Sequence, residues 1–253
     1  MKVLLAVNNR LGWQAAELLR SLGAEVVGLV LHPPQKRKFG EEILAVFPLP
    51  PERVFDGARL DEGALVRIAA LSPDICLSVL FGYIVRPPFI SLFPKGVVNL
   101  HPAMLPYNRG ANPNVWSIVE GTPAGTTLHY IDSGVDTGDI IAQKAVPALP
   151  WDTGRSLYER LETSSLELVR EAWPALEVGN APRYPQPKDG PTVTLHRTKD
   201  VAAIDHIDLD APTTARRVID VLRARTFPPY RGAFFEANGR KVFLSLHLAP
   251  EEE

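Results

Sequence analysis

"MKVLLAVNNRLGWQAAELLRSLGAEVVGLVL", residues 1–31, holds the pattern on which the fold reading turns. Two continuous apolar runs, Met1 to Val7 and Ala24 to Leu31, flank a segment whose Leu and Ala residues recur at helical spacing and which stops at Gly23. Short runs without polar alternation predict strands covered on both faces, and a helix between two of them predicts a crossover in a parallel sheet. The unit recurs: "DEGALVRIAALS", opening on acidic Asp61 and Glu62, precedes the apolar run Ile75 to Leu80, and Gly96 to Leu100 follows. Alternating strands and helices predict an α/β, doubly wound, mostly parallel sheet, whose ligands lie at the carboxyl ends of its strands.

Composition limits the function classes. The chain has 253 residues, 45% hydrophobic and 22% charged, with a formal net charge of -2. No global basic field advertises a nucleic-acid partner. The single cysteine, Cys76 in "DICLSVL", forms neither an internal disulfide nor a thiolate zinc site, and its setting is that of a small buried residue. The apolar run at the N-terminus is too short for a signal peptide or a membrane span, so a cytoplasmic protein without a membrane partner is expected.

After residue 120 the character changes. "GTTLHYIDSGVDTGDIIAQKAVP" reads as two strands joined by a Gly- and Asp-rich loop, and "TGRSLYERLETSSLELVREAWPAL" as a helix with Leu157, Leu161, Leu168 and Ala172 on its apolar side. Gly179 to Pro191 reads as a linker or a chain crossing the surface. A helix from Pro212 to Arg225, with Thr214 near its start, and a hairpin turning at "ANG" complete a small C-terminal appendage. The expected organisation is therefore residues 1–178 as a catalytic domain and 179–253 as linker, helix and β-hairpin.

"VVNLHPAMLPYNRGANPNVW", residues 97–116, interrupts a buried strand with Asn99 and His101. Two apart on a strand, their side chains leave the same face. Each alone has an ordinary structural reading. The distant "DSGVDTGDI" adds three acids and two glycines; it lacks the spacing and closing glutamate of a calcium loop. His129, in "TLHYI", belongs to no H-x-H or H-E-x-x-H metal motif, and no metal is expected.

Taken together, "NLHPAMLPYNRGANPNVW" and "TTLHYIDSGVDTGDIIAQ" resemble the folate-dependent formyltransferases: Asn-x-His at Asn99 and His101, a Leu-Pro-x-x-x-Gly turn at Leu105 to Gly110, and Asp-x-Gly-x-Ile at Asp136 to Ile140. The resemblance covers about residues 70–165 closely. It implies a Rossmann-like catalytic domain of the formyltransferase fold that uses 10-formyltetrahydrofolate as cosubstrate. It also implies a catalytic set of Asn99, His101 and Asp136. Formyl transfer to an amine develops negative charge on the formyl oxygen, which the Asn99 amide and protonated His101 can stabilise. The amine must also lose a proton, which an imidazole and the Asp136 carboxylate can accept.

By the same resemblance, Gly82, Tyr83, Ile84, Val85, Leu105, Val135 and Asp139 flank the folate; Gly82 to Val85 read equally as ordinary core and turn. Relatives often carry a serine where this chain has Ala103, so any contact of that hydroxyl is lost. The tail is too short for the barrel expected of the methionyl-tRNA enzyme and resembles that of sugar N-formyltransferases acting on nucleotide-linked amino sugars. Asn9, Arg10, Trp13, Tyr107, Asn108 and Arg109 are assigned to that acceptor. Phe227 and Tyr230 either stack on its base or pack the tail on the core, and Arg225 or Arg231 either meets a diphosphate or stays solvated. The expected function is N-formylation of a nucleoside-diphosphate amino deoxysugar for cell-surface polysaccharide, in a homodimer paired through the hairpin edge. Methionyl-tRNA formylation, formyltetrahydrofolate hydrolysis and an idle folate-binding module remain as alternatives.

Overall fold

Val3, Leu5 and Val7 face one side of the first strand and Leu4 and Ala6 the other, and none of the five is more than 1% exposed. Period-two alternation with both faces apolar requires cover on both sides, and the rest of the chain supplies it. In the computed structural model, which describes residues 1–251, the order is β1 (Lys2–Val7), α1 (Asn9–Ser21), β2 (Glu25–Leu31), α2 (Gly40–Val46), β3 (Val54–Asp56), α3 (Glu62–Ala70), β4 (Ile75–Val79), α4 (Pro87–Ile90) and β5 (Val97–His101). Next come β6 (Arg109–Gly110), α5 (Pro113–Val119), β7 (Gly125–Tyr130), β8 (Ile140–Ala145) and α6 (Gly154–Val178). The chain continues through β9 (Leu195–His196), α7 (Asp200–Asp205), α8 (Ala215–Arg225), β10 (Phe234–Ala237) and β11 (Arg240–Phe243).

Seven strands form one sheet in the order β3-β2-β1-β4-β5-β7-β8. Pairs from β3 to β5 are parallel, and β7 runs antiparallel to β5. The expected doubly wound, mostly parallel α/β sheet is present.

The chain divides into two compact units. The first comprises Met1–His101, Thr127–Gln143 and Ser165–Gln186. One face of its sheet packs Leu5, Leu29, Leu77 and Leu100 with Leu11 and Leu19 of α1 and Leu168 and Trp173 of α6. The other face packs Leu4, Val30, Cys76 and Val97 with Ile68 of α3 and Phe89 of α4. Helix ends follow the sequence signals. The Asp61 carboxylate accepts from Ala64 N at 2.9 Å to cap α3. Gly23 (φ 73) ends α1 in a Schellman motif, with Ala24 N donating to Leu19 O and Gly23 N to Arg20 O.

Residues 179–191 are hydrogen-bonded in part. Tyr184 and Ile140 exchange both backbone hydrogen bonds, at 2.8 and 2.9 Å, so part of the segment is held against the start of β8. Proline and polar residues mark an irregular path, but they do not reveal that its amides have partners.

The second unit comprises Pro102–Thr126, Lys144–Ser164 and the chain from Pro187 onward. Its core gathers Val115, Trp116, Ile118, Leu157, Leu161, Val221 and Ala224. Thr214 caps α8 by accepting from Arg217 N at 3.1 Å. The hairpin β10–β11 turns at Asn238 (φ 50) and Gly239 (φ 71), the left-handed pair that a two-residue type I′ turn demands. Among the described residues, no helix is long and apolar enough to cross a membrane.

Two outcomes follow for the first unit. Leu29→Ala, at a site with no exposure, should lower the unfolding free energy by about 2–5 kcal/mol, read as an earlier urea midpoint. Burial pushes the Cys76 thiol far up from its ordinary range, so a thiol reagent should leave the native protein unmodified and label it only in denaturant. Rapid labelling of the native protein would contradict this packing.

Candidate active site

β5 ends in the expected pair. Asn99 stands in register between Ser78 of β4 and His129 of β7, and His101 stands opposite Thr127. Because β7 is antiparallel, Asn99 and His129 are direct cross-strand neighbours, close enough for their side chains to meet. Asn99 Nδ2 lies 3.2 Å from His129 Nε2. The other ring nitrogen, Nδ1, lies 2.8 Å from the Tyr130 carbonyl oxygen, which can only accept. That contact places the proton on Nδ1 and leaves the Nε2 lone pair to the Asn99 amide. The amide plane of Asn99 is thereby oriented by a residue from another strand.

Asp136 completes the group from the loop between β7 and β8. Its Oδ2 is 3.7 Å from His101 Nε2 and its Oδ1 is 3.5 Å from His129 Nε2. The side chains of His101, His129 and Asp136 are 8%, 1% and 15% exposed, so the Asp136 charge is only partly screened by solvent.

The loop explains how a carboxylate is held there. Asp136 adopts φ 52, a left-handed conformation that Asp tolerates better than most residues. Asp132 Oδ1 accepts from Gly134 N at 2.9 Å and from Thr137 Oγ1 at 2.5 Å. Gln186 Nε2 donates to the carbonyls of Asp136 (3.0 Å) and Gly138 (2.6 Å). At Gly138 an added Cβ would overlap the Tyr130 carbonyl oxygen, so the glycine is required by close backbone approach.

The remaining expected residues are distributed unevenly. Gly82 (φ 75) lies in the turn after β4, with Tyr83 half-buried beside it and Ile84 83% exposed. Val135 is exposed, and Asp139 lies 3.8 Å from Arg183. The Val85 side chain is instead core, packed with Phe81 and Phe89. Leu105, 2% exposed, is likewise turned inward. Asn9 (φ 59) opens α1, Arg10 is exposed, and Trp13 stacks on Phe39 at 5.8 Å.

In the second unit, Tyr107 is half-buried. Asn108 and Arg109, assigned to the acceptor, are turned inward. Asn108 has no exposed surface, and its amide donates to Ser117 and Thr122 and accepts from Thr194. Arg109 is buried and donates to the Pro187 carbonyl at 2.9 Å. Both complete internal hydrogen bonds that a buried turn would otherwise lack. Arg225 is committed to Asp205 by bonds of 2.5 and 3.1 Å. Phe227 packs on Tyr158 at 5.6 Å, and Tyr230 is 65% exposed.

Two residues that sequence reasoning gave no role belong to this geometry. His129 orients Asn99 and faces Asp136, and Gln186 holds the Asp136 turn. Only the strand register and the return of residues 181–186 bring them in, and neither leaves a local signature. Among the described residues, no group of three or more His, Cys, Asp or Glu side chains is disposed to hold a metal ion.

Comparison with known proteins agrees with the geometry. The family described as Formyl transferase matches residues 15–172, and the N-formyltransferase dimerization C-terminal domain matches residues 200–250. The dTDP-4-amino-4,6-dideoxyglucose formyltransferase of Mycobacterium tuberculosis is 38% identical over 156 residues, which is 61% of this chain and 65% of that protein's length. Methionyl-tRNA formyltransferases are also relatives; that of Anaeromyxobacter dehalogenans is 35% identical over 77% of this chain and 59% of its own. Among solved structures, a 4-N formyltransferase from Francisella tularensis superposes with a TM-score of 0.83 at 25% identity, covering 99% of this chain and 98% of that one. The formyltransferase PseJ from Anoxybacillus kamchatkensis, in complex with UDP-4,6-dideoxy-4-formamido-L-AltNAc and tetrahydrofolate, matches with a TM-score of 0.59 at 33% identity over 80% of this chain and 89% of that one. With a family match across most of its length and its amide, imidazoles and carboxylate gathered at the end of β5, this chain belongs to the formyl transferase family.

Proposed function

We propose that the protein transfers the formyl group of 10-formyltetrahydrofolate to the primary amine of a nucleoside-diphosphate-linked amino deoxysugar. The observation that carries the reading is the convergence of Asn99, His101 and Asp136, which lie far apart in the chain, in one partly buried group. The residues fit a folate. The turn at Gly82 offers backbone groups, exposed Ile84 and Val135 offer apolar surface for a flat ring, and Tyr83 and Asp139 are assigned to the same ligand.

In this reading the Asn99 amide and His101 donate to the formyl oxygen as negative charge develops on it. One Asn99 amide hydrogen is engaged by His129 Nε2, so the amide is oriented before substrate arrives. Asp136 receives the proton lost by the attacking amine. Asn9, Arg10, Trp13, Tyr107, Phe227 and Tyr230 are assigned to the acceptor. Support for an amino sugar comes from the acceptor named for the mycobacterial relative and the nucleotide sugar bound to PseJ. Residues 1–178, closing at the end of α6, form the catalytic domain, and 179–253 the appendage. The hairpin, within the segment matching a dimerization domain, pairs two copies. The reading includes a cytoplasmic location and a product used in cell-surface polysaccharide. Methionyl-tRNA formylation is the second reading, favoured by the relatives of that name.

A panel of nucleotide-linked amino sugars, with methionyl-tRNA in parallel, tests the proposal through formyl transfer; no transfer to any amino sugar would refute it. A tRNA substrate would betray itself by affinity falling steeply with salt. Asn99→Ala and Asp136→Asn should each lower kcat/KM by about 10²- to 10³-fold in folded protein. Gly138→Ala should displace Asp136 and lower kcat by about 10²-fold, whereas parental turnover would exclude a role for the loop geometry.

A further inference from the structure

The turn that follows β4 is held in an unusual state. Leu80 adopts φ 48 and Gly82 φ 75, so two left-handed residues bracket Phe81. Gly82 tolerates that conformation, but for Leu80 it is unfavourable, and such a backbone persists only where its surroundings over-determine it.

The surroundings include a chain of hydrogen bonds running across three neighbouring strand ends. Lys38 N donates to Asn8 Oδ1 at 2.9 Å, which fixes which end of the Asn8 amide faces away. Asn8 Nδ2 then lies 3.2 Å from His32 Nδ1. His32 Nε2 contacts the Phe81 carbonyl oxygen. A backbone N–H can only donate and a carbonyl can only accept, so the two ends of the chain determine every proton between them. Asn8 donates to Nδ1, and the imidazole carries its hydrogen on Nε2. Asn8 follows β1, His32 follows β2 and Phe81 lies just beyond β4, and these three strands are adjacent in the sheet.

Packing fixes the same point. The His32 ring lies 4.7 Å from that of Tyr83 and 5.8 Å from that of Phe81. An added Cβ at Gly57 would overlap the Phe81 ring. Asn8 is 8% exposed and Phe81 2%, so the bonds are largely shielded from competing water.

We propose that His32, oriented by Asn8, is a positioning residue for folate: it clamps the Phe81 carbonyl and so sets the backbone of Gly82 and Tyr83 against which the folate ring binds. The inference rests on the reading of residues 82–84 as a folate segment. It assigns His32 no contact with the reacting atoms; its effect is on folate affinity through the turn.

Substitutions separate the two ring nitrogens. His32→Gln keeps an amide donor at the Nε2 position for the Phe81 carbonyl, His32→Asn keeps only a partner for Asn8, and His32→Ala keeps neither. Tetrahydrofolate and, separately, dTDP are titrated calorimetrically against the parent and each variant, with the melting midpoint of each recorded. His32→Ala and His32→Asn should weaken tetrahydrofolate binding about tenfold. His32→Gln should restore it to within about threefold, and dTDP affinity should not move. If His32→Ala fails to fold, the Gln and Asn variants decide the matter. Equal tetrahydrofolate affinity in the Gln and Asn variants, or parallel loss of dTDP binding, would overturn the inference while leaving the formyltransferase reading intact. A parent that does not bind tetrahydrofolate would sink both.

Discussion

The site depends on one constraint: β7 lies antiparallel on β5 at the point where the run of parallel strands ends. Antiparallel register sets residues directly opposite one another, so His129 meets Asn99 at hydrogen-bond distance. The same reversal sends the chain from Tyr130 into the loop that carries Asp136, which folds back toward both imidazoles. A one-residue slip of this ladder would turn His129 to the other face and leave the Asn99 amide without its orienting partner.

Strain and restraint are paired in the first unit. Asp136 and Leu80 both occupy left-handed backbone that non-glycine residues seldom adopt, and each turn is gripped at neighbouring carbonyls by a side chain from far along the chain. Gln186 holds the carbonyls of Asp136 and Gly138, and His32 holds that of Phe81. Glycines stand where backbone or a ring approaches too closely for any Cβ, at Gly138 and Gly57. Such turns can present fixed dipoles because rigid strands lie beneath them and bonds to distant residues close them.

Much of the fold was legible. Burial on both faces wrote continuous apolar runs for β1, β2, β4 and β5, and an amphipathic face wrote α1, α3 and α6. Asn238-Gly239 announced its hairpin through the turn chemistry that only those residue types satisfy easily. Short elements escaped: β3 has three residues, and β6 and β9 have two each, lengths at which periodicity carries no information. Within the site, Asn99 and His101 announced a shared face, and Asp136 came through the family pattern. The internal bonds of Asn108 and Arg109 were not legible, because a polar residue in a turn looks the same in sequence whether it meets a ligand or satisfies buried neighbours.

What the sequence by itself determined was local in origin: which segments bury two faces or one stripe, where helices stop, and that Cys76 is core. Tertiary structure alone decided that His129 orients Asn99, that Gln186 and His32 hold two strained turns, and that Val85 points inward. The physical reason is range. Patterning acts between residues a few positions apart, whereas these hydrogen bonds join distant residues whose meeting is set by strand order and register.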